Sequence, residues 1–425
     1  MKLSLKQRKL LSFGTIWFLV FFQVPLGYLL LVKPYLHGDL FYTQHGATAT
    51  SISDFIHFYS AGAMALSADS HQVYQPEVQL RWINTLIRPA CTESVFYMQY
   101  VPFVFPLMAP FALLSMTAAY FLWLLLSALC GLIGMVLIAK SIRHWNKEAV
   151  ALFALSVFAS FPSALTLKLG QTTWFMLALI SGYYWALLGK ADLAGGICLA
   201  LTTLKPQYTV LFAIPGLALR RWRLIVYSII TETILLLLAG ITIGWQNVVQ
   251  YPMTLLHAET SAHFWGVLPE HMISVRALLS LITGPQLALR LSILVMLAAA
   301  GAVYVLWRRA ASLGVDAWHW AFAITVLLSL IASPHSHPYD SLLLALPAGL
   351  TLGTPGPARG PGRWIWSALL ITFPLTSWTF YQPAVAQAVR RLPFLLLNLV
   401  LLACASASWL RLVHSRNGES RVASV

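Results

Sequence analysis

Residues 117–139 read TAAYFLWLLLSALCGLIGMVLIA, 23 residues without one charged side chain. As a helix this run is about 35 Å long, enough to cross the hydrocarbon layer of a bilayer. It is apolar all round, so its natural solvent is lipid or a deep core. Similar runs recur on both sides, at about 10–32, 149–165, 171–188, 192–204, 206–219, 223–244, 286–307, 317–333, 338–353, 364–380 and 393–411, making twelve with the first. The two around Lys205-Pro206 are short, and whether 192–219 is two spans or a broken pair stays open. A further apolar stretch, 101–115 (VPFVFPLMAPFALLS), carries Pro102, Pro106 and Pro110 and reads as an interfacial or re-entrant element.

Composition agrees. Of 425 residues, 59% are hydrophobic and only 9% charged, against about 25% charged in soluble domains. The expected architecture is an all-α polytopic membrane protein, a single domain over 1–425, with membrane lipids as its surroundings. The start, Met1 to Lys9 followed by an apolar run to Val32, reads as an uncleaved first transmembrane helix, because the run is long and no A-x-A cleavage pattern follows. The net charge of +14 does not imply nucleic acid, because the basic residues sit at the ends of apolar runs and not on one face. Cys130, Cys198 and Cys404 lie inside apolar runs and Cys91 stands alone, so the cysteines form no disulfide framework or metal spacing.

With twelve spans both termini share one side. Under that topology 18 of the 27 Lys and Arg fall on the terminal side, among them Lys140, Arg143, Lys147, Arg220, Arg221, Arg223, Arg308 and Arg309. The positive-inside rule then puts both termini in the cytoplasm and the protein in the cytoplasmic membrane. Two long loops, about 33–100 and 245–285, face outward, each expected to carry interfacial helices. Eight of the thirteen carboxylates, including Asp54, Glu259 and Asp340, lie in outer loops or at the outer edge. Chemistry is therefore expected on the outer face.

In the first loop, DFIHFYSAGAMAL (Asp54 to Leu66) has helical spacing of apolar residues. It reads as a helix on the membrane surface, with Asp54 at the N-cap offered to solvent and His57 one turn on. An Asp in that place is often only a cap. Four other polar groups are expected on the same face. Lys168-Leu169-Gly170-Gln171 puts a cation before a helix opened by Gln171, and Lys205-Pro206-Gln207 repeats the arrangement. Helix N-termini and lysines together suit a phosphate. Ser333-Pro334-His335-Ser336-His337-Pro338-Tyr339-Asp340 is the densest polar cluster, suited to hydrogen bonding a sugar or phosphate. Arg276, in PEHMISVRALLS, offers a bidentate fork to phosphate.

These pieces, in this order, resemble glycosyltransferase family 87 of the GT-C superfamily: Asp54-Phe55-Ile56-His57-Phe58-Tyr59 with Tyr74 downstream, Tyr100-Val101-Pro102, Leu169-Gly170-Gln171, Leu204-Lys205-Pro206-Gln207, and Ser333 through Tyr339. The resemblance implies a GT-C-like bundle. It implies transfer of a hexose, typically mannose, from a polyprenyl-phosphate donor to a lipid or glycan acceptor on the outer face. Asp54 would be the general base. His57, Tyr59, Lys168, Gln171, Lys205, Gln207, Arg276, His335, His337 and Asp340 would bind substrate. The leaving group is already a phosphate, so no cofactor is expected; a divalent metal stays open. A transporter or flippase is the alternative reading. It calls for charge at mid-membrane and internal repeats, and of these the sequence offers only Glu232. A non-enzymatic scaffold would need no such set of polar residues on one face.

Overall fold

The computed structural model describes residues 5–50, 52–93, 97–142, 147–260, 267–352 and 392–422. The expected span at 364–380 lies outside them. Among the described residues the regular structure is helical apart from a hairpin of two three-residue strands, Thr43–His45 and Thr48–Thr50, turning at Gly46.

Among the described residues six helical segments are long and apolar enough to cross a membrane: Phe13–His37, Met116–Lys140, Trp222–Ile243, Pro285–Ala310, Val315–Ala332 and Leu395–His414. A seventh arises if Lys147–Phe158 and Phe161–Leu169, which meet at 58°, form one bent span. Several expected spans are shorter or broken. Residues 192–204 form the helix Asp192–Leu201 with a 3-10 turn, Thr202–Leu204, and Lys205-Pro206 ends it. Pro206 has no N–H to give to the preceding helix, so a new helix, Pro206–Ala218, starts there. Residues 338–353 begin as a 3-10 stretch, Pro338–Leu344, and become α-helical only at Ala345–Leu352.

The Asp54–Ala65 helix departs from expectation. It does not lie exposed on a surface: nine of its residues, from Phe55 to Met64, are buried. The proline-rich stretch supplies its cover, as the Val104–Ala112 helix packs directly against it. The backbones approach so closely that a Cβ on Gly62 would stand 2.2 Å from the Met108 carbonyl oxygen. Behind both, Phe58 stacks on Tyr100 at 4.4 Å, and Trp123 packs on Phe58 and Phe175. The N-cap is Ser53, whose Oγ accepts from the Phe55 N–H. Asp54 is therefore the first helical residue, and its carboxylate is not needed as the cap.

Replacing Gly62 by alanine should lower stability by about 1–3 kcal/mol through overpacking against backbone. Alanine at Gly301, where a Cβ meets nothing within 4 Å, should be neutral. Thermal unfolding of both variants in detergent checks the contrast.

Candidate active site

One cavity of about 590 Å³ gathers most of the polar residues singled out in the sequence. Asp54, Gln171, Lys205, Gln207, His335, His337 and Asp340 line it, together with Tyr97, Gln99, Tyr100, Tyr251, Glu259 and Tyr339. Its other wall is apolar, made by Leu255 and Leu256 of the Trp245–Thr260 helix and by Leu289, Ile293 and Met296 of the Pro285–Ala310 helix.

Asp54 is held by a turn more than a hundred residues away. The Phe161–Leu169 helix stops at Gly170, which adopts φ +69°, a left-handed conformation that glycine takes without strain. A Cβ there would also stand 2.7 Å from that of Phe55. Three donors fix this turn: Ser53 Oγ to the Leu169 carbonyl, Tyr120 OH to the Leu167 carbonyl, and Trp123 Nε1 to the Gly170 carbonyl. Gln171 is thereby placed with its Nε2 donating to Asp54 Oδ2 at 2.8 Å. Gln171 does not open a helix as expected; the next helix begins at Thr173. Burial raises the Asp54 pKa to about 6, against the smaller opposing pull of the Gln171 hydrogen bond and the Lys205 charge. Such a carboxyl is mostly ionised at neutral pH and can take a proton.

Lys205 pairs with Asp340. Its Nζ also donates to Thr173 Oγ1 at 3.2 Å and lies 4.5 Å from the centre of the Tyr339 ring. Asp340 accepts in addition from Thr173 Oγ1 and from the His337 backbone N–H. Gln207 Nε2 donates to the His335 carbonyl at 3.0 Å. The segment around His335 is thus hung from two separate helices.

A second ion pair closes the far side. Arg276 is wholly buried and pairs with Glu259; it also donates to the Glu259 and Pro334 carbonyls. Glu259 in turn accepts from His335 Nδ1 at 2.9 Å. Burial pushes the Glu259 pKa up, but His335 and Arg276 outweigh it and hold the carboxyl down at about 2. His335 Nε2 and His337 Nε2 face each other at 3.1 Å.

Not every expected residue arrives. Lys168 is exposed and outside the cavity, because the Gly170 turn points Gln171 inward and leaves the lysine outside. His57 is buried in the helix packing away from the cavity, and burial lowers its pKa to about 4. Tyr59 donates to the Leu114 carbonyl. Arg276 reaches the site through Glu259 and does not line the cavity. Sequence reasoning noted Glu259 only as one outer-loop acid, and it missed Thr173 altogether. Among the described residues no group of three or more His, Cys, Asp or Glu is arranged to hold a metal ion.

The family model described as glycosyltransferase family 87 matches residues 97–334. That span holds Gln171, Lys205, Gln207, Glu259 and Arg276. Asp54 precedes it, and His335, His337 and Asp340 follow it. No curated protein matches the chain.

Arg276→Gln should lower stability by about 3–5 kcal/mol, because it leaves Glu259 as a buried charge short of its partner. The double variant Arg276→Gln, Glu259→Gln should regain part of the loss. Thermal unfolding midpoints of the three proteins check this.

Proposed function

The chain belongs to glycosyltransferase family 87, and we propose that it transfers a hexose, mannose first among the candidates, from a polyprenyl-phosphate donor to a lipid or glycan acceptor. The observation that carries the reading is one cavity with two unlike walls: a half-buried carboxyl of raised pKa beside a lysine and two histidines, and opposite them a face of leucine, isoleucine and methionine. A donor that is a sugar phosphate at one end and a hydrocarbon at the other matches both walls.

In this reading Asp54 is the general base. It takes the proton of the acceptor hydroxyl as that oxygen attacks the anomeric carbon. The bond from that carbon to the phosphate oxygen breaks, and the electron pair leaves with the polyprenyl phosphate. A single displacement inverts the anomeric centre. Gln171 orients the carboxylate and leaves Oδ1 for the acceptor. The departing phosphate gains one negative charge, and Lys205 with His335 and His337 is placed to meet it. Lys205 donates two of its three N–H groups to Asp340 and Thr173 and keeps one for an oxygen. Gln207 and Asp340 position these donors. Lys168, His57 and Tyr59 take no part, and no cofactor is required.

The proposed setting is the cytoplasmic membrane, crossed about twelve times. Both termini are cytoplasmic and the cavity opens on the outer side. The bias of Lys and Arg towards the terminal side supports this orientation.

Asp54→Asn should lower transfer by about 10²–10⁴-fold, the usual contribution of a general base. The measurement is product formation in membranes supplied with radiolabelled polyprenyl-phosphate sugars; wild-type activity in this variant would sink the assignment. In the wild type, transfer should fall as pH drops through about 6, because protonated Asp54 can accept nothing. A flat profile through that range would remove Asp54 as the base.

A further inference from the structure

The cations near the cavity bring it no net charge. Lys205 is matched by Asp340 and Arg276 by Glu259, while Asp54 has no ion-pair partner in the cavity. A phosphate entering this site therefore meets two balanced pairs and one extra negative charge. Asp54, with its pKa raised to about 6, and the two histidines are the groups able to change that balance.

Their hydrogen bonds have one direction when both rings are neutral. Glu259 is an ionised carboxylate and accepts only, so His335 Nδ1 carries a proton. His335 Nε2 is then a lone pair. Its 3.1 Å contact must be filled by the Nε2–H of His337. The row runs His337 to His335 to Glu259, and neither Nε2 is left as a donor to an incoming anion.

We propose that Glu259 is a positioning residue that lets His335 take up one proton when the donor phosphate binds. With that proton His335 donates from both nitrogens: Nδ1 stays on Glu259 and Nε2 turns to a phosphate oxygen. The Nε2–H of His337, displaced from His335, becomes a second donor to the same phosphate. Glu259 holds the added positive charge, and Arg276 holds Glu259 in register by bonding both its carboxylate and the Pro334 carbonyl. Glu259 and His337 bond His335, Arg276 stands behind Glu259, and the other titratable groups lining the cavity are Asp340, Lys205, Asp54, Tyr339, Tyr97, Tyr100 and Tyr251. Of these, Glu259 alone bonds His335 at a nitrogen that stays protonated throughout. The inference rests on the phosphate-donor reading above.

The test uses the full chain in detergent, with farnesyl phosphate as the probe, so it is independent of any transfer assay. Binding is measured by calorimetry between about pH 5 and pH 8, where histidine changes charge. Wild-type protein should take up about one proton more per probe bound than Glu259→Gln, shown by titrations of both in buffers of different ionisation enthalpy; the difference removes the contributions of the probe and of Asp54. Glu259→Gln should bind about tenfold more weakly near neutral pH, as for the loss of one hydrogen bond to a charged group. The deficit should shrink as pH falls, because free protons replace the missing carboxylate's help. Comparison at each pH cancels the titration of the probe itself. Glu259→Asp, which keeps the charge, should restore the wild-type pH dependence. A deficit in Glu259→Gln that is equal at every pH, or equal proton uptake by the two proteins, overturns the proposal and leaves the donor reading standing. Failure of wild-type protein to bind the probe at all overturns both.

Discussion

Two buried ion pairs, Lys205 with Asp340 and Arg276 with Glu259, hold the site together. Each charge alone would be costly in a lipid-bound bundle, since removing an ion from water costs several kcal/mol after relaxation. Paired and further hydrogen bonded, they become fixed points. Asp340 is the end of the 333–340 segment, and Pro334 at its start accepts from Arg276. Pinned at both ends, the segment keeps an irregular backbone where it lines the cavity. His335 and His337 stand between the pins.

The same pairing decides which group is chemically free. Every lining carboxylate but one has a cation beside it. Asp54 has an amide in place of a cation, so burial outweighs the opposing pulls and raises its proton affinity. The glycine turn at 170 and the aromatic packing of Phe58, Tyr100 and Trp123 matter because they place that amide and shut water out behind it.

Much of this could be read from the chain. Apolar runs and charge distribution establish a multi-pass helical protein, since those signals are local. The gathering of Asp54, Gln171, Lys205, Gln207 and the two histidines followed from their shared place at the ends of apolar runs. The errors have a common cause. Lys168 and Lys205 look alike in sequence, yet one turn faces out and the other has Asp340 waiting for it. The 54–65 stretch looked amphipathic enough for a surface, and only the distant Val104–Ala112 helix decides that both its faces are covered. Glu259 carried no local signal: its importance comes from Arg276 and His335, seventeen and seventy-six residues on. The number of crossings was less legible, because Pro206 and the 3-10 turn at Pro338–Leu344 break runs that composition alone would continue.

The apolar wall ties the two halves of the chemistry together. Leu255, Leu256, Leu289, Ile293 and Met296 would be poor company for a sugar in water, but they suit a prenyl chain. An apolar setting of this kind also disfavours the ionised form of Asp54, and burial is the largest cause of its raised pKa. In the proposed reaction a more polar cavity would leave Asp54 a weaker base and exclude the lipid half of the proposed donor. A drier one would keep Asp54 protonated and unable to act. Gln171 and the charge of Lys205 set the position between these limits, lowering the pKa enough for the carboxylate to persist at neutral pH.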